Sequence, residues 1–287
     1  MAEKSKARVL AEALPYIRRY HGKTMVVKLG GAVLDSSARL GQLAADLTLL
    51  NMIGVRLIVV HGGGPQIERH LRRLKMPAQI IDGLRVTDKA TMEVVEMVLG
   101  GKINKGIVAA IAAAGGSAVG VSGKDGALLS ARRRKVAGAD YGLVGEVRKV
   151  NPSVLEALWS DFIPVIAPLA LADNGETLNV NADEAAAAVA SAVGAEVLLL
   201  LTSEPGIKNR RGRVLARIDA REAAAMIKDK SIAGGMIPKV RWALAAMKGG
   251  RLGSCRILDG RERHSLLVDL LTDRGSGTMI AGSGDSG

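Results

Sequence analysis

Five short apolar runs alternate along the chain with stretches of helical length: Met25-Val26-Val27, Leu57-Ile58-Val59-Val60, Ala118-Val119-Gly120-Val121, Ile163-Pro164-Val165-Ile166 and Val197-Leu198-Leu199-Leu200-Leu201. None of them alternates apolar with polar residues, so each reads as a strand covered on both faces. The intervening helical stretches include Ser36 to Met52, Thr91 to Ala114 and Asp183 to Val193. Strands of this kind separated by helices specify an α/β fold with a mostly parallel sheet. At 287 residues the chain is two domains or one large one.

The stretch Ala127 to Val150 breaks the rhythm, with Gly138, Asp140 and Gly142 between two β-leaning arms, and reads as a hairpin or meander at the rim. Its Arg132-Arg133-Arg134-Lys135 run reads as a solvated face rather than a binding patch. Ahead of the first strand, Lys6 to Tyr20 is predicted to be an amphipathic helix with Leu10, Ala13, Leu14 and Ile17 on one face and a bend at Pro15. That face is expected to pack either on its own domain or on another subunit. A composition shift after Leu201, towards Lys208-Asn209-Arg210-Arg211-Gly212, sets a soft boundary near residue 196.

Forty Lys and Arg against 28 Asp and Glu leave a net charge of +12, which suits a polyanion, a nucleotide or an acidic metabolite. With two Trp, three Tyr and one Phe, stacking platforms for single-stranded nucleic acid are hard to build, so nucleic acid is a minority reading. The single Cys255 excludes a disulfide framework and a zinc cluster and fits a reducing, cytoplasmic setting. No secretory signal is legible in MAEKSKAR. The longest uncharged run, Gly106 to Gly123, is interrupted by Gly115-Gly116-Ser117 and reads as helix, turn and buried strand, so no membrane association is expected.

Glycines cluster just after the strand-like runs. Lys28-Leu29-Gly30-Gly31 follows the first and His61-Gly62-Gly63-Gly64-Pro65 the second. In a parallel sheet such turns face one crevice, where backbone N–H groups and helix dipoles hold anions; each is equally readable as a tight structural turn. The P-loop pattern fails because Ile17 stands where the first glycine belongs, and the dinucleotide pattern fails at Ile67. The four histidines, His21, His61, His70 and His264, show no metal-ligand spacing and read as surface or local hydrogen-bonding residues; no Gly-x-Ser-x-Gly elbow is present.

Two polar constellations remain. In Asn179-Val180-Asn181-Ala182-Asp183 one residue is accounted for as a helix cap, while alternation puts Asn179 and Asn181 on one side ahead of a carboxylate, an arrangement suited to a ligand and nearby cations. In Gly234-Gly235-Met236-Ile237-Pro238-Lys239 a lysine sits in the first turn of a helix, against the dipole, so an anion or carboxylate partner is expected.

With Val27 to Gly31, Val60 to Pro65, Gly83-Leu84-Arg85-Val86-Thr87, Asn104-Lys105, Ser122 to Gly126, Asn179 to Asp183, Gly234 to Lys239 and Gly275 to Thr278 in view, the chain resembles the amino acid kinase family over nearly its whole length, and within it the arginine-sensitive members that phosphorylate N-acetyl-L-glutamate. The resemblance implies a three-layer αβα sandwich, with residues 1–22 an oligomerisation helix, 23–195 an acetylglutamate-binding lobe and 196–287 an ATP-binding lobe. It implies that Lys28 and Lys239 act on the transferring phosphoryl group with Asp183 as organiser. Gly31 and Gly63 would donate N–H bonds to phosphate, with Gly63 and Gly64 at the substrate and Arg85 on a substrate carboxylate. Asn179 and Asn181 would line the substrate site, and Thr202, Ser203 and Gly206 would lie beside the nucleotide. The implied reaction is ATP-dependent phosphorylation of the γ-carboxylate in arginine biosynthesis, with Mg²⁺ held mainly through the phosphates. A carboxylate nucleophile is ionised at neutral pH and needs no general base.

The resemblance also implies L-arginine as an effector, at Tyr20, His264, Asp269 and Gly275, and a homo-oligomer, a hexamer built as a trimer of dimers. Two positions depart: Asp269 stands where those members carry glutamate, and Ser203-Glu204 where they usually carry aspartate and an apolar residue. The readings left open are a kinase of a related carboxylate or carbamate, and a non-catalytic ligand sensor or nucleic-acid binder on the same fold.

Overall fold

The computed structural model describes residues 2–31, 33–81, 83–135, 140–248, 252–273 and 275–282, without the side chains of residues 2–7. Helix α1 (Ala2–Tyr20) leads into β1 (Thr24–Leu29), a 3-10 turn (Val33–Asp35), α2 (Ser37–Met52), β2 (Arg56–His61) and α3 (Gly64–Arg73). A small hairpin of β3 (Ile80–Ile81) and β4 (Leu84–Arg85) precedes α4 (Lys89–Glu96) and α5 (Asn104–Ala113), which a π-helical segment joins without a break. Then come β5 (Ala118–Ser122), β6 (Leu129–Arg133), β7 (Val144–Val150), α6 (Ser153–Glu156), β8 (Ile163–Ala167), β9 (Leu169–Leu171), β10 (Thr177–Val180) and α7 (Ala182–Ala192). The remainder is β11 (Val197–Thr202), β12 (Arg217–Asp219), α8 (Ala220–Lys228), α9 (Met236–Met247), β13 (Ser254–Asp259), α10 (Ser265–Leu271) and β14 (Thr278–Ala281).

All five apolar runs become strands of one eight-stranded sheet in the order β12-β14-β13-β11-β1-β2-β8-β5. Only β12 and β14 run against the other six, because β14 pairs antiparallel with β13. Every residue of β11, and every residue but the first of β1 and β2, is buried, as strands sandwiched between two helical layers must be. One layer contains α7 and α9, the other α2, α5 and α10. The alanines of α7 (Ala185, Ala186, Ala187, Ala190) are buried and let the helix approach β1, β11 and α9 closely. One core runs through the molecule, and because β1 pairs with β11 the sheet is continuous across residue 196. Cys255 is wholly buried in β13 between Leu198 of β11 and Ile280 of β14, and burial pushes its thiol far above the usual range. No described helix is long and apolar enough to cross a membrane.

The expected rim hairpin exists, since β6 and β7 pair antiparallel, but it does not end there: β9 and β10 close it into a four-stranded barrel. Gly138 lies outside the described residues. The basic run is solvated as expected, with Arg132, Arg133 and Lys135 exposed, and Arg132, Arg133 and Arg134 pair with Glu146, Glu176 and Glu184. Helix α1 continues through Pro15 and contacts α10. Leu10 and Leu14 of its apolar stripe are 69% and 44% exposed, so this chain alone does not cover that stripe.

Candidate active site

The sheet order reverses at β1: the chain passes to β2 on one side and, later, to β11 on the other. Ligand crevices of open α/β sheets form at such a point, outside the carboxyl ends of the strands. Here the turns are tied to each other by backbone bonds, Gly30 N–H to Leu201 O at 3.0 Å and Gly62 N–H to Leu29 O at 2.9 Å. Glycine is needed at Gly31, where a Cβ would stand 2.6 Å from Pro65 Cδ in the first turn of α3. The glycine turns after β1 and β2 are thus in direct contact.

Three charged side chains from three elements meet at this crevice. Lys28 is in β1, Asp183 in the first turn of α7, and Lys239 in the first turn of α9. Lys28 Nζ lies 2.7 Å from Asp183 Oδ1, and Lys239 Nζ lies 2.8 Å from Asp183 Oδ2, so one carboxylate spans two ammonium groups. The side chains of Lys28 and Asp183 are only 9% and 6% exposed. Burial pulls the Lys28 ammonium below its usual range, against the pull of Asp183. Burial alone would raise the Asp183 carboxyl, but the two lysine charges outweigh it and hold it below the usual carboxylate range. The carboxylate partner expected for Lys239 is therefore Asp183. Helix α7 gets its start from Asn181, whose side-chain oxygen caps it by accepting from Asp183 N–H and Glu184 N–H.

Two cavities open on either side of Lys28. The larger, about 490 Å³, is lined by Lys28, Gly31, Thr202, Ser203, Gly206 and Lys239 among others, and Ile207, Ile232 and Met236 add an apolar wall that the sequence did not signal. The smaller, about 170 Å³, is lined by Lys28, Gly63, Gly64, Arg85, Asn179, Asn181 and Asp183. Arg85 reaches it from β4, with its side chain 8% exposed; one nitrogen donates to Gly64 O at 3.2 Å. Its Nη1 is buried with no partner among the described residues, a donor available to a carboxylate. Asn179 donates to Thr87 Oγ1 at 3.2 Å, which fixes the side chain at the cavity wall. A donor-rich pocket and a pocket with a free guanidinium nitrogen, sharing a wall that carries Lys28, are suited to passing an anionic group between two ligands.

The model of the amino acid kinase family matches residues 23–259. The chain belongs to that family. It is 48% identical over 284 residues to an acetylglutamate kinase of Bordetella avium (strain 197N), covering 96% of this chain and 94% of that one. It is 46% identical to an acetylglutamate kinase of Delftia acidovorans (strain DSM 14801 / SPH-1), covering 98% and 97%. Among solved structures, the N-acetylglutamate synthase of Neisseria gonorrhoeae complexed with coenzyme A and N-acetyl-glutamate superposes with a TM-score of 0.87 at 30% identity; the match covers 96% of this chain, which spans 63% of the synthase. A Giardia lamblia carbamate kinase bound to AMP-PNP, at 16% identity and a TM-score of 0.66 over 91% of this chain and 99% of its own, shares the fold.

Of the four residues expected to hold an effector in this family member, three come together. Tyr20, Asp269 and Gly275 line a cavity of about 340 Å³ with Tyr16, Arg19 and Arg256. His264 is not part of that lining: its Nδ1 lies 2.7 Å from Asp46 Oδ1 and its Nε2 3.2 Å from Gln42. Asp269 is already engaged, accepting from Arg256 Nη1 at 2.7 Å and from Ser276 N–H at 3.2 Å.

Of the two places expected for His61, surface or local hydrogen bonding, the structure gives the second: it is wholly buried at the end of β2 and bonds its neighbour. Its Nδ1 lies 3.0 Å from Gly62 O; a carbonyl only accepts, so Nδ1 carries the proton. Nε2 faces the Asn104 amide at 3.4 Å. Burial lowers the ring from its ordinary 6.5 to about 4. The unfolded chain takes up this proton below pH 6.5 and the fold does not, so His61 costs stability as pH falls from 6.5 towards 4. The expected loss approaches about 3 kcal/mol. Urea denaturation at pH 7 and pH 4.5 checks it: His61→Gln should lose less stability between the two pH values than the wild type.

Proposed function

We propose that this member of the family transfers the γ-phosphoryl group of ATP to the γ-carboxylate of N-acetyl-L-glutamate, in arginine biosynthesis. The observation that carries the reading is the single Asp183 carboxylate held between Lys28, which lines both cavities, and Lys239, which lines the larger. In this reading the larger cavity takes the nucleotide, within a lobe of residues 196–287, and the smaller takes the acceptor, within a lobe of residues 23–195. Arg85 and the two asparagines bind and orient the acceptor. The nucleophilic carboxylate needs no base, so the chain's task is alignment and neutralisation of the charge spread over the transferring oxygens. Lys28 and Lys239 supply that charge, and Gly31 and Gly63 supply backbone N–H donors.

A Mg²⁺ ion brought in with the nucleotide would be held mainly through the phosphates and would supply charge neutralisation there. Both Asp183 oxygens face lysines, and no group of three or more His, Cys, Asp or Glu gathers among the described residues, so the chain fits a metal held through the phosphates rather than by a protein cage. A nucleic-acid role is not favoured, because the arginines of the basic run are spent on glutamates.

Coupled ADP release with N-acetylglutamate, glutamate and N-acetylaspartate side by side tests the reaction. Turnover with the first, at least tenfold above the others, is expected; equal or greater turnover with either of the others, or none with any, overturns it. The uncovered stripe of α1 supports packing of residues 1–22 against a second copy, in keeping with the hexamer that the resemblance implies. The 340 Å³ cavity supports an arginine site there, made of Tyr20, Asp269 and Gly275, with His264 outside its lining. Millimolar L-arginine in the same assay should lower turnover; an unchanged rate rejects the site.

A further inference from the structure

The two glycine turns are fastened by a side chain to which none of the roles above is assigned. Gln66, in the first turn of α3, is 5% exposed. Its amide nitrogen donates to Gly31 O at 3.2 Å and to Asp35 Oδ1 at 3.0 Å. Arg69, on the same helix, donates to the same Asp35 oxygen at 2.7 Å. Gln66 belongs to the helix that opens on Gly63-Gly64, whereas Gly31 and Asp35 belong to the segment after β1, so the carboxamide crosses from one glycine turn to the other.

A glycine has no Cβ to limit its backbone and does not hold an N–H in one direction unaided. At Gly31 the peptide planes on both sides are pinned. The preceding one is held by Val33 N–H on Gly30 O at 3.1 Å, the following one by Leu34 N–H at 3.1 Å and the Gln66 amide on Gly31 O. Gly31 N–H lies in the first of these planes, and the Gln66 bond on the second ties the turn that carries it to α3. Gln66 Oε1, meanwhile, is buried with no partner among the described residues, a cost that a purely space-filling apolar side chain would not incur. Packing alone does not account for the residue.

We propose that Gln66 is a positioning residue for phosphoryl transfer, holding Gly31 N–H in register with the Gly63 turn so that both reach the same phosphoryl group. This rests on the phosphoryl-transfer reading. It predicts an effect on kcat rather than on acceptor binding, because Arg85, Asn179 and Asn181 are untouched.

The test is steady-state kinetics on the full chain with Gln66→Leu and Gln66→Glu, beside thermal melts. Loss of positioning on the scale of an ångström lowers rates by up to about 100-fold. Gln66→Leu should lower kcat by about tenfold or more, leave the KM for N-acetylglutamate within about twofold, and keep a cooperative melt. In Gln66→Glu an ionised carboxylate would face Gly31 O and Asp35 with no proton to donate, Arg69 being the neighbouring cation; protonation restores one donor. Its kcat relative to wild type should therefore rise as pH falls from 8 to 6. Near-normal kcat in Gln66→Leu, or a pH-independent ratio for Gln66→Glu, beside an active wild type, overturns the inference alone. If Gln66→Leu does not fold, the Gln66→Glu pH ratio decides. A wild type without acceptor-dependent ADP release overturns the underlying reading and this inference with it.

Discussion

Asp183→Ala is expected to remove turnover and a large part of the protein's stability at once. Asp183 is the carboxylate facing both Lys28 and Lys239, and its side chain is 6% exposed. Without it two ammonium groups remain close together, one of them almost wholly out of water. Removing one partner of a buried ion pair costs about 3–5 kcal/mol. In a chain of this length that is a drop in Tm of roughly 10 °C. The sign of the pH dependence follows from Lys28, which burial already holds below its usual range. The variant relieves its buried charge by releasing a proton, so its deficit should shrink as pH rises from 7 to 9. Calorimetry at the two pH values reads this, and an equal deficit at both would show that Lys28 keeps its proton in the folded variant up to pH 9.

Lys28→Ala and Lys239→Ala should separate chemistry from stability. In each, Asp183 keeps one lysine, so no charge is stranded and the fold is expected to survive. Each variant loses a preorganised donor for the transferring group. Loss of one such donor lowers kcat by about 10²–10³. Lys28→Arg should not restore the rate, because a planar guanidinium does not replace a compact ammonium in a space this closed. Single-turnover rates with saturating substrates, beside melting curves, give the answer. A folded Lys28→Ala or Lys239→Ala with near-normal turnover rejects that lysine's role.

The sheet was legible because its central strands are apolar without alternation, and burial on both faces leaves no other solution for such runs. The strands that went unread are short or mixed: β9 and β12 have three residues each, and β10 alternates half-buried with buried positions. Their pairing is decided by neighbours distant in sequence, which is why a hairpin within Ala127 to Val150 was legible and the barrel that it joins was not. At the site, Lys239 announced itself by standing against a helix dipole, and the Asn179 to Asp183 segment by having more polar residues than a cap requires. The meeting of Lys28 with Asp183 depended on the family resemblance, since nothing local relates β1 to α7. Gln66 and Asp35 left no signal: a glutamine in a helix's first turn and an aspartate in a polar loop are ordinary until the two loops are seen in contact. His264, which the resemblance alone put beside Asp269 and Gly275, turns its ring to Asp46 and Gln42 of α2, neighbours that nothing in its own segment announces.

The chain's one sulfhydryl, Cys255, sits in β13, an interior strand of the sheet, with its reactivity suppressed by burial. Its side chain stands on a face of the sheet, so an alkylating reagent can reach it only when the packing over that face opens. Labelling rate is therefore a clock for that opening, readable without adding a reporter. With that clock, each substitution discussed above can be checked for a loosened sheet in the same tube that measures its catalysis.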